Sequence, residues 1–111
     1  MTTMFDTARH SQLVDEVFAL APVIPVLAIY RLEDALPLCR ALADNGLPVL
    51  EITLRTACAL DAIALVAREL PHACVGAGTV LSATDLAKVA DAGARFAISP
   101  GATDTLFDAA K

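Results

Sequence analysis

The chain has 111 residues, 57% of them hydrophobic, 19% charged and 5% aromatic, with a formal net charge of −5. That length bounds it to a single domain, and so large an apolar share excludes a disordered segment. Its lysines and arginines are scattered singly in an acidic background. This excludes a nucleic-acid or anionic-membrane surface and leaves small molecules or other chains as partners.

The chain opens with "MTTMFDTARHSQ", where an acidic residue precedes the first arginine and no apolar core follows a basic head. It is read as something other than a secretory signal. Ser11 to Ala21 is expected to form an extra helix, so residues 1–21 are read as an arm plus that helix. The longest uncharged run, Phe18 to Tyr30, is broken by Pro22 and Pro25 and falls short of the ~20 residues of a membrane span. A cytoplasmic protein is expected.

From there, four short β-branched runs recur about every 25 residues: "VIPVLAIY" from Val23, "PVLEITL" from Pro48, "ACVGAG" from Ala73 and "ARFAIS" from Ala94. Helical spacing fills the intervals, with Leu36, Leu38 and Leu42 in the first. Leu60, Ile63, Ala64, Ala67 and Leu70 follow in the second, and Leu86, Val89 and Ala90 in the third. Gly46 and Gly93 stand where a left-handed helix terminus is wanted, Pro71 ends the second helix, and Ser82 with Asp85 resembles a capping pair. Pro37 objects to the first helix unless it falls in the opening turn.

Strands alternating with helices across short loops predict a parallel sheet with right-handed crossovers. Either an open doubly wound sheet or part of a (β/α)8 barrel would satisfy that. The run "VLEITLRT" helps decide between them. Strand alternation puts Leu50, Ile52 and Leu54 on one face and Glu51, Thr53 and Arg55 on the other. Open parallel sheets are covered on both faces and read as continuous apolar runs, whereas a barrel interior can be polar near its C-terminal mouth. A carboxylate on such an inward face is desolvated, which raises its pKa toward the range useful for proton transfer unless a cation opposes the shift. The structural alternative is a Glu51–Arg55 ion pair, which needs two long side chains to bend together across ~13 Å of strand.

"VGAGTVL" fails the dinucleotide fingerprint, because Leu81 stands where the third glycine would be. Its small residues are read as allowing a close turn at a strand's C-terminal end that exposes Thr79. "AISPG" has the same form, with Pro100 at the mouth. Cys39, Cys58 and Cys74 are odd in number and widely spaced, and read as buried free thiols. His10 and His72 are read as surface residues, and no metal is placed.

In order, "PVIPVLAIYRLEDALPLCRALADNGLPVLEITLRT", "VGAGTVL" and "GARFAISPG" closely resemble the amino-terminal half of the 2-keto-3-deoxy-6-phosphogluconate (KDPG) aldolases, which also cleave 4-hydroxy-2-oxoglutarate. The resemblance runs from about Pro22 to the end. It implies an α/β fold of the (β/α)8 TIM-barrel family with only about the first four βα units present, residues 22–111. It further implies a homotrimer without cofactor or metal, acting in the Entner–Doudoroff pathway. Such enzymes are class I aldolases, in which a lysine Schiff base is the electron sink for carbon–carbon cleavage. The products are pyruvate with glyceraldehyde 3-phosphate, or with glyoxylate from the smaller substrate.

By the same resemblance Glu51 is the general acid/base, Arg55 holds the substrate carboxylate, and Thr79 and Pro100 line the pyruvate pocket. The family's Schiff-base lysine and phosphate loops fall on later strands, and neither Lys88 nor Lys111 matches that lysine. Four βα units alone would expose two parallel sheet edges and a bare interior, so self-association or pairing with another half is expected, and the isolated chain is expected to be inactive. The alternative function is a non-catalytic half-barrel assembly or 2-oxo-acid-binding module.

Overall fold

The computed structural model describes residues 7–111. Its elements are α1 (Thr7–Ala19), β1 (Val26–Leu27), α2 (Leu32–Asp44), β2 (Val49–Thr53), α3 (Ala59–Glu69), β3 (Cys74–Gly78), α4 (Ala83–Ala92) and α5 (Asp104–Ala110). The three strands form one parallel sheet in the order β1-β2-β3, with Val26 opposite Glu51 and Thr53 opposite Gly78. The extra helix is thus present, beginning earlier than expected. Residues 1–6 of the arm lie outside the described residues.

One face of the sheet carries the main core. Leu50, Ile52, Val75 and Ala77 pack there with Ala35 and Cys39 of α2 and with Ala59, Ala62, Ile63 and Val66 of α3, all within one buried cluster. Parallel strands require crossover helices, and small residues on α3 let that helix lie close. The α2 stripe differs from the expected one. Leu36 and Leu42 pack on the core as expected, beside buried Ala35 and Cys39, while Leu38 is exposed, because at 100° per residue it falls to one side of the arc those four share. The opposite face holds a smaller cluster of Val49, Cys74 and Ala21, against which Val17 of α1, Ile24 and Phe96 pack. A groove lined by Leu13, Val14, Val89, Phe96 and Ile98, among others, separates α1 from α4 and lies on this apolar side.

The first run is strand over Val26–Leu27 alone, with one further ladder bond from Glu51 N–H to the Pro25 carbonyl at 3.0 Å. Pro25 has no N–H to offer, and the Ile29 carbonyl is taken by side chains, so the chain leaves the sheet early. The fourth run is no full strand, but it lies parallel to β3 through Ala97 opposite Ala77. Arg95 N–H donates to Val75 O at 2.8 Å, Ala77 N–H to Phe96 O at 3.0 Å, and Ile98 N–H to Ala77 O at 2.8 Å. The next donor to Ile98 O is Val80 rather than Thr79, at 3.1 Å, because Thr79 has a left-handed backbone (φ 59°) and is stepped over.

Helix ends follow the local sequence. Ser82 Oγ accepts the Asp85 N–H at 3.1 Å and Asp85 Oδ2 accepts the Leu81 N–H at 3.3 Å, a reciprocal cap for α4. Gly93 closes α4 at φ 103° and Gly46 follows α2 at φ 95°, conformations that disfavour any side chain. Pro37 sits beyond the first turn of α2, against expectation. It and Glu33 are exposed, so water can serve the Glu33 carbonyl that Pro37 leaves without a helical partner. No described helix is long and apolar enough to cross a membrane.

Candidate active site

On β2 the residues opposite to the main core are Val49, Glu51 and Thr53, and all five residues of this strand are buried. Glu51 is 8% exposed. Its side chain lies across β3 over Gly78, so close that a methyl group at that position would collide with Oε1. Among the described residues it makes no side-chain hydrogen bond and no ion pair within 4 Å. Burial pushes its pKa up, and the positive charge of Arg55 opposes the shift.

Arg55 is placed differently from the sequence expectation. β2 ends at Thr53, and Arg55 lies in the following turn, exposed, rather than on the strand face beside Glu51. The direct ion pair is therefore not formed, while the electrostatic attraction remains. The turn is anchored from both sides. Leu54 N–H donates to Gly78 O at 2.9 Å, Thr53 Oγ1 donates to Leu27 O at 3.0 Å, and Thr56 Oγ1 and Cys58 Sγ both donate to Ile29 O, at 2.5 and 3.0 Å. Thr53 thus ties β2 to β1 and does not project a free hydroxyl.

Thr79 follows β3 directly, half-buried, with a backbone conformation that is an outlier for a β-branched residue. Pro100 is exposed in a loop where Ser99 Oγ donates to Gly101 O at 2.9 Å and accepts the Gly101 N–H at 3.3 Å. Arg55, Thr79 and Pro100 therefore stand beyond the C-terminal ends of successive parallel segments, and Glu51, the middle residue of β2, has its side chain over Gly78 at the last position of β3. Glu51 and the β3 terminus are in contact. Arg55 and Pro100 reach the same end on exposed loops.

Two features escaped the sequence reading. The glycines of "CVGAG" serve chiefly to clear the sheet face: Gly78 leaves room for Glu51, and Gly76 for the Phe96 ring, which a methyl there would strike. The signal was their spacing of two on the Glu51 face. The left-handed Thr79 carries no local sequence mark.

The remaining reactive groups sit elsewhere. Cys39 and Cys74 are buried and Cys58 is half-buried, all unpaired, with burial pushing the Cys39 thiol up to about 11. His10 and His72 are exposed, His72 lying 4.0 Å from Asp44. Lys88 is exposed on α4, and Lys111 pairs with Asp108 at 3.0 Å. No group of three or more described His, Cys, Asp or Glu residues is placed to hold a metal ion.

The profile of the KDPG and KHG aldolase family matches residues 14–111. The chain belongs to this family. It is 52% identical over 96 residues to the KHG/KDPG aldolase of Escherichia coli K12, covering 86% of this chain and 45% of that protein. The 2-dehydro-3-deoxy-phosphogluconate aldolase of Dickeya dadantii matches with the same identity and coverage. Among solved structures, the Legionella pneumophila KDPG aldolase, with pyruvate captured as a covalent carbinolamine intermediate, superposes at a TM-score of 0.81 with 53% identity. That match covers 84% of this chain and 45% of the other. The Zymomonas mobilis ZM4 aldolase with 3-phosphoglycerate gives 0.83 at 52% identity, over 87% and 46%. The chain thus spans about half the length of these relatives, and over that half it has their α/β fold with a parallel sheet.

Proposed function

We propose that residues 22–111 are the amino-terminal four βα units of a (β/α)8 barrel, preceded by an arm and helix over residues 1–21. The assembled protein is a class I aldolase that cleaves KDPG to pyruvate and glyceraldehyde 3-phosphate, and 4-hydroxy-2-oxoglutarate to pyruvate and glyoxylate. The observation that carries this reading is the Glu51 carboxyl, desolvated over Gly78 at the sheet's C-terminal end with a cation, Arg55, acting on it.

Burial raises the Glu51 pKa, so this carboxyl takes up a proton more readily than an ordinary carboxylate, which suits a group that must act both as acid and as base. In the proposed reaction a lysine amine adds to the substrate ketone, and Glu51 donates the proton that lets the carbinolamine lose water. The resulting iminium accepts the electrons of the breaking carbon–carbon bond while the Glu51 carboxylate left by that donation takes up the hydroxyl proton of the departing aldehyde. Glu51 then protonates the enamine carbon, and hydrolysis frees pyruvate. Arg55 offers its planar fork of donors to the substrate carboxylate, and Thr79 and Pro100 line the pyruvate end. The lysine is assigned to sequence outside these 111 residues, since Lys88 stands on α4 and Lys111 directly follows α5, neither at a strand end. The partners are a small 2-oxo acid or sugar acid phosphate and further copies of the chain, a trimer as the resemblance implies. A cytoplasmic setting suits three unpaired thiols.

A second reading, a non-catalytic half-barrel that assembles and binds 2-oxo acids, is favoured by Val26 and Ile98, apolar residues left 59% and 38% exposed on the Glu51 face. One experiment decides between them. Joined to a carboxy-terminal half carrying the lysine, the chain should cleave KDPG, and Glu51→Gln should lower turnover by ~100-fold or more, as loss of a general acid/base does. Undiminished turnover in Glu51→Gln would defeat the assignment, and pyruvate binding without any cleavage would favour the second reading.

A further inference from the structure

We infer that Gly78 is a positioning residue for Glu51: its missing side chain is the seat on which the carboxyl rests against β3. This deepens the proposed function, and rests on it only for the consequence for turnover. A methyl group at position 78 would collide with Glu51 Oε1 and lie 2.9 Å from Cδ and 3.0 Å from Cγ. Three successive atoms are involved, so rotating the carboxylate alone would not clear the methyl. The whole side chain would have to swing away from β3.

The backbone does not itself call for glycine here. Among the described glycines only Gly46 and Gly93 have positive φ, and the three nearest atoms to an added methyl all belong to Glu51. Nor can the strands part, because Thr53 pairs with Gly78 and Leu54 N–H holds Gly78 O at 2.9 Å. Position 78 therefore decides where the carboxyl sits, and the seat is what keeps Glu51 8% exposed.

Around Glu51 the other groups are nearly all uncharged. β1 brings Val26 opposite it, β3 brings Gly76 opposite it with the Cys74 thiol farther down the face, and the fourth segment brings Phe96 over Gly76. Helix α1 meets this face through Val17 at the Val49–Cys74 floor. Arg55 is the charged group acting on Glu51, while Arg95 acts on Cys74.

The test is a titration of the Glu51 carboxyl carbon by NMR in the 111-residue chain, without substrate, in the parent, Gly78→Ala and Gly76→Ala. Gly78→Ala should stay folded, since only a side chain must move, and its Glu51 pKa should fall toward the ordinary value of about 4.3 as the carboxyl swings into water. Gly76→Ala, whose methyl meets the Phe96 ring, should leave the Glu51 titration in place. A Glu51 titration unchanged by Gly78→Ala, or moved equally by Gly76→Ala, overturns the inference. If Gly78→Ala does not fold, the double variant Gly78→Ala/Glu51→Ala decides: recovered folding supports the seat, and continued unfolding overturns it. In the complete enzyme the acidic limb of the pH–rate profile should shift down with Gly78→Ala. An enzyme that shows no cleavage at all would sink the proposed function and leave the substrate-free titration standing.

Discussion

The two faces of the same sheet, built by alternate residues of the same strands, have opposite characters. On one, Leu50, Ile52, Val75 and Ala77 are sealed under α2 and α3 and contribute by burial alone. On the other, Val49 and Cys74 form an apolar floor, then Glu51 and Thr53 follow, and across from them stand Gly76 and Gly78 in place of side chains. The covered face is filled. The second face is deliberately underfilled at its C-terminal end, and a carboxyl occupies the space that glycine leaves. Stability and chemistry are thus separated by a strand period of two.

The largest expected effect tests the covered face. Ile52→Ala should destabilise the fold by about 2–5 kcal/mol, the usual range for emptying a closely packed apolar site. Urea unfolding would show it, and an unchanged midpoint would mean that this face is not the core. Its neighbour in sequence should behave oppositely: Glu51→Gln removes a desolvated charge and should not lower stability at neutral pH.

Next comes Arg55, whose contribution is electrostatic. Arg55→Ala should raise KM for the keto-acid by roughly 10-fold or more, since charge-assisted bonds contribute about 1.5–3 kcal/mol and are already made in the ground state. It should also raise the Glu51 pKa further, because the opposing cation is gone. Steady-state kinetics with unchanged KM would remove Arg55 from the carboxylate site.

A pH series sharpens the contrast between faces. Glu51 has a folded pKa above its unfolded value, so between the two the native state holds more protons than the unfolded one. Its contribution to stability is complete below the unfolded value of about 4.3 and is lost as pH rises through the folded pKa. Subtracting the Glu51→Gln curve from the parent curve should leave that decline. A difference that rises with pH would reverse the assigned shift.

The smallest effect is expected at Thr53. Its hydroxyl is committed to Leu27 O at 3.0 Å, so Thr53→Val should cost about 1 kcal/mol of stability through a lost buried hydrogen bond. Turnover should fall far less than with Glu51→Gln. A comparable loss in both would show that Thr53 takes part in proton transfer.

Much of this was legible from residue order. Alternating β-branched and helical runs specified a parallel α/β chain, Ser82 with Asp85 and Gly93 marked helix ends that the structure keeps, and the period of two in "VLEITLRT" separated Glu51 from Leu50 and Ile52. These are local properties: propensity, capping chemistry and side-chain direction act over a few residues, so they can be read one segment at a time. What lay beyond the sequence depends on partners distant along the chain. The early end of β1 follows from Thr56 and Cys58 capturing the Ile29 carbonyl. Arg55 lies past the last β2–β3 ladder bond, Leu54 N–H to Gly78 O, beyond which Thr79 turns left-handed and ends β3, and Gly78 matters because a side chain 27 positions earlier rests on it. Tertiary structure alone decides such matters, because a steric seat or a captured carbonyl exists only once two remote backbones have been brought into register.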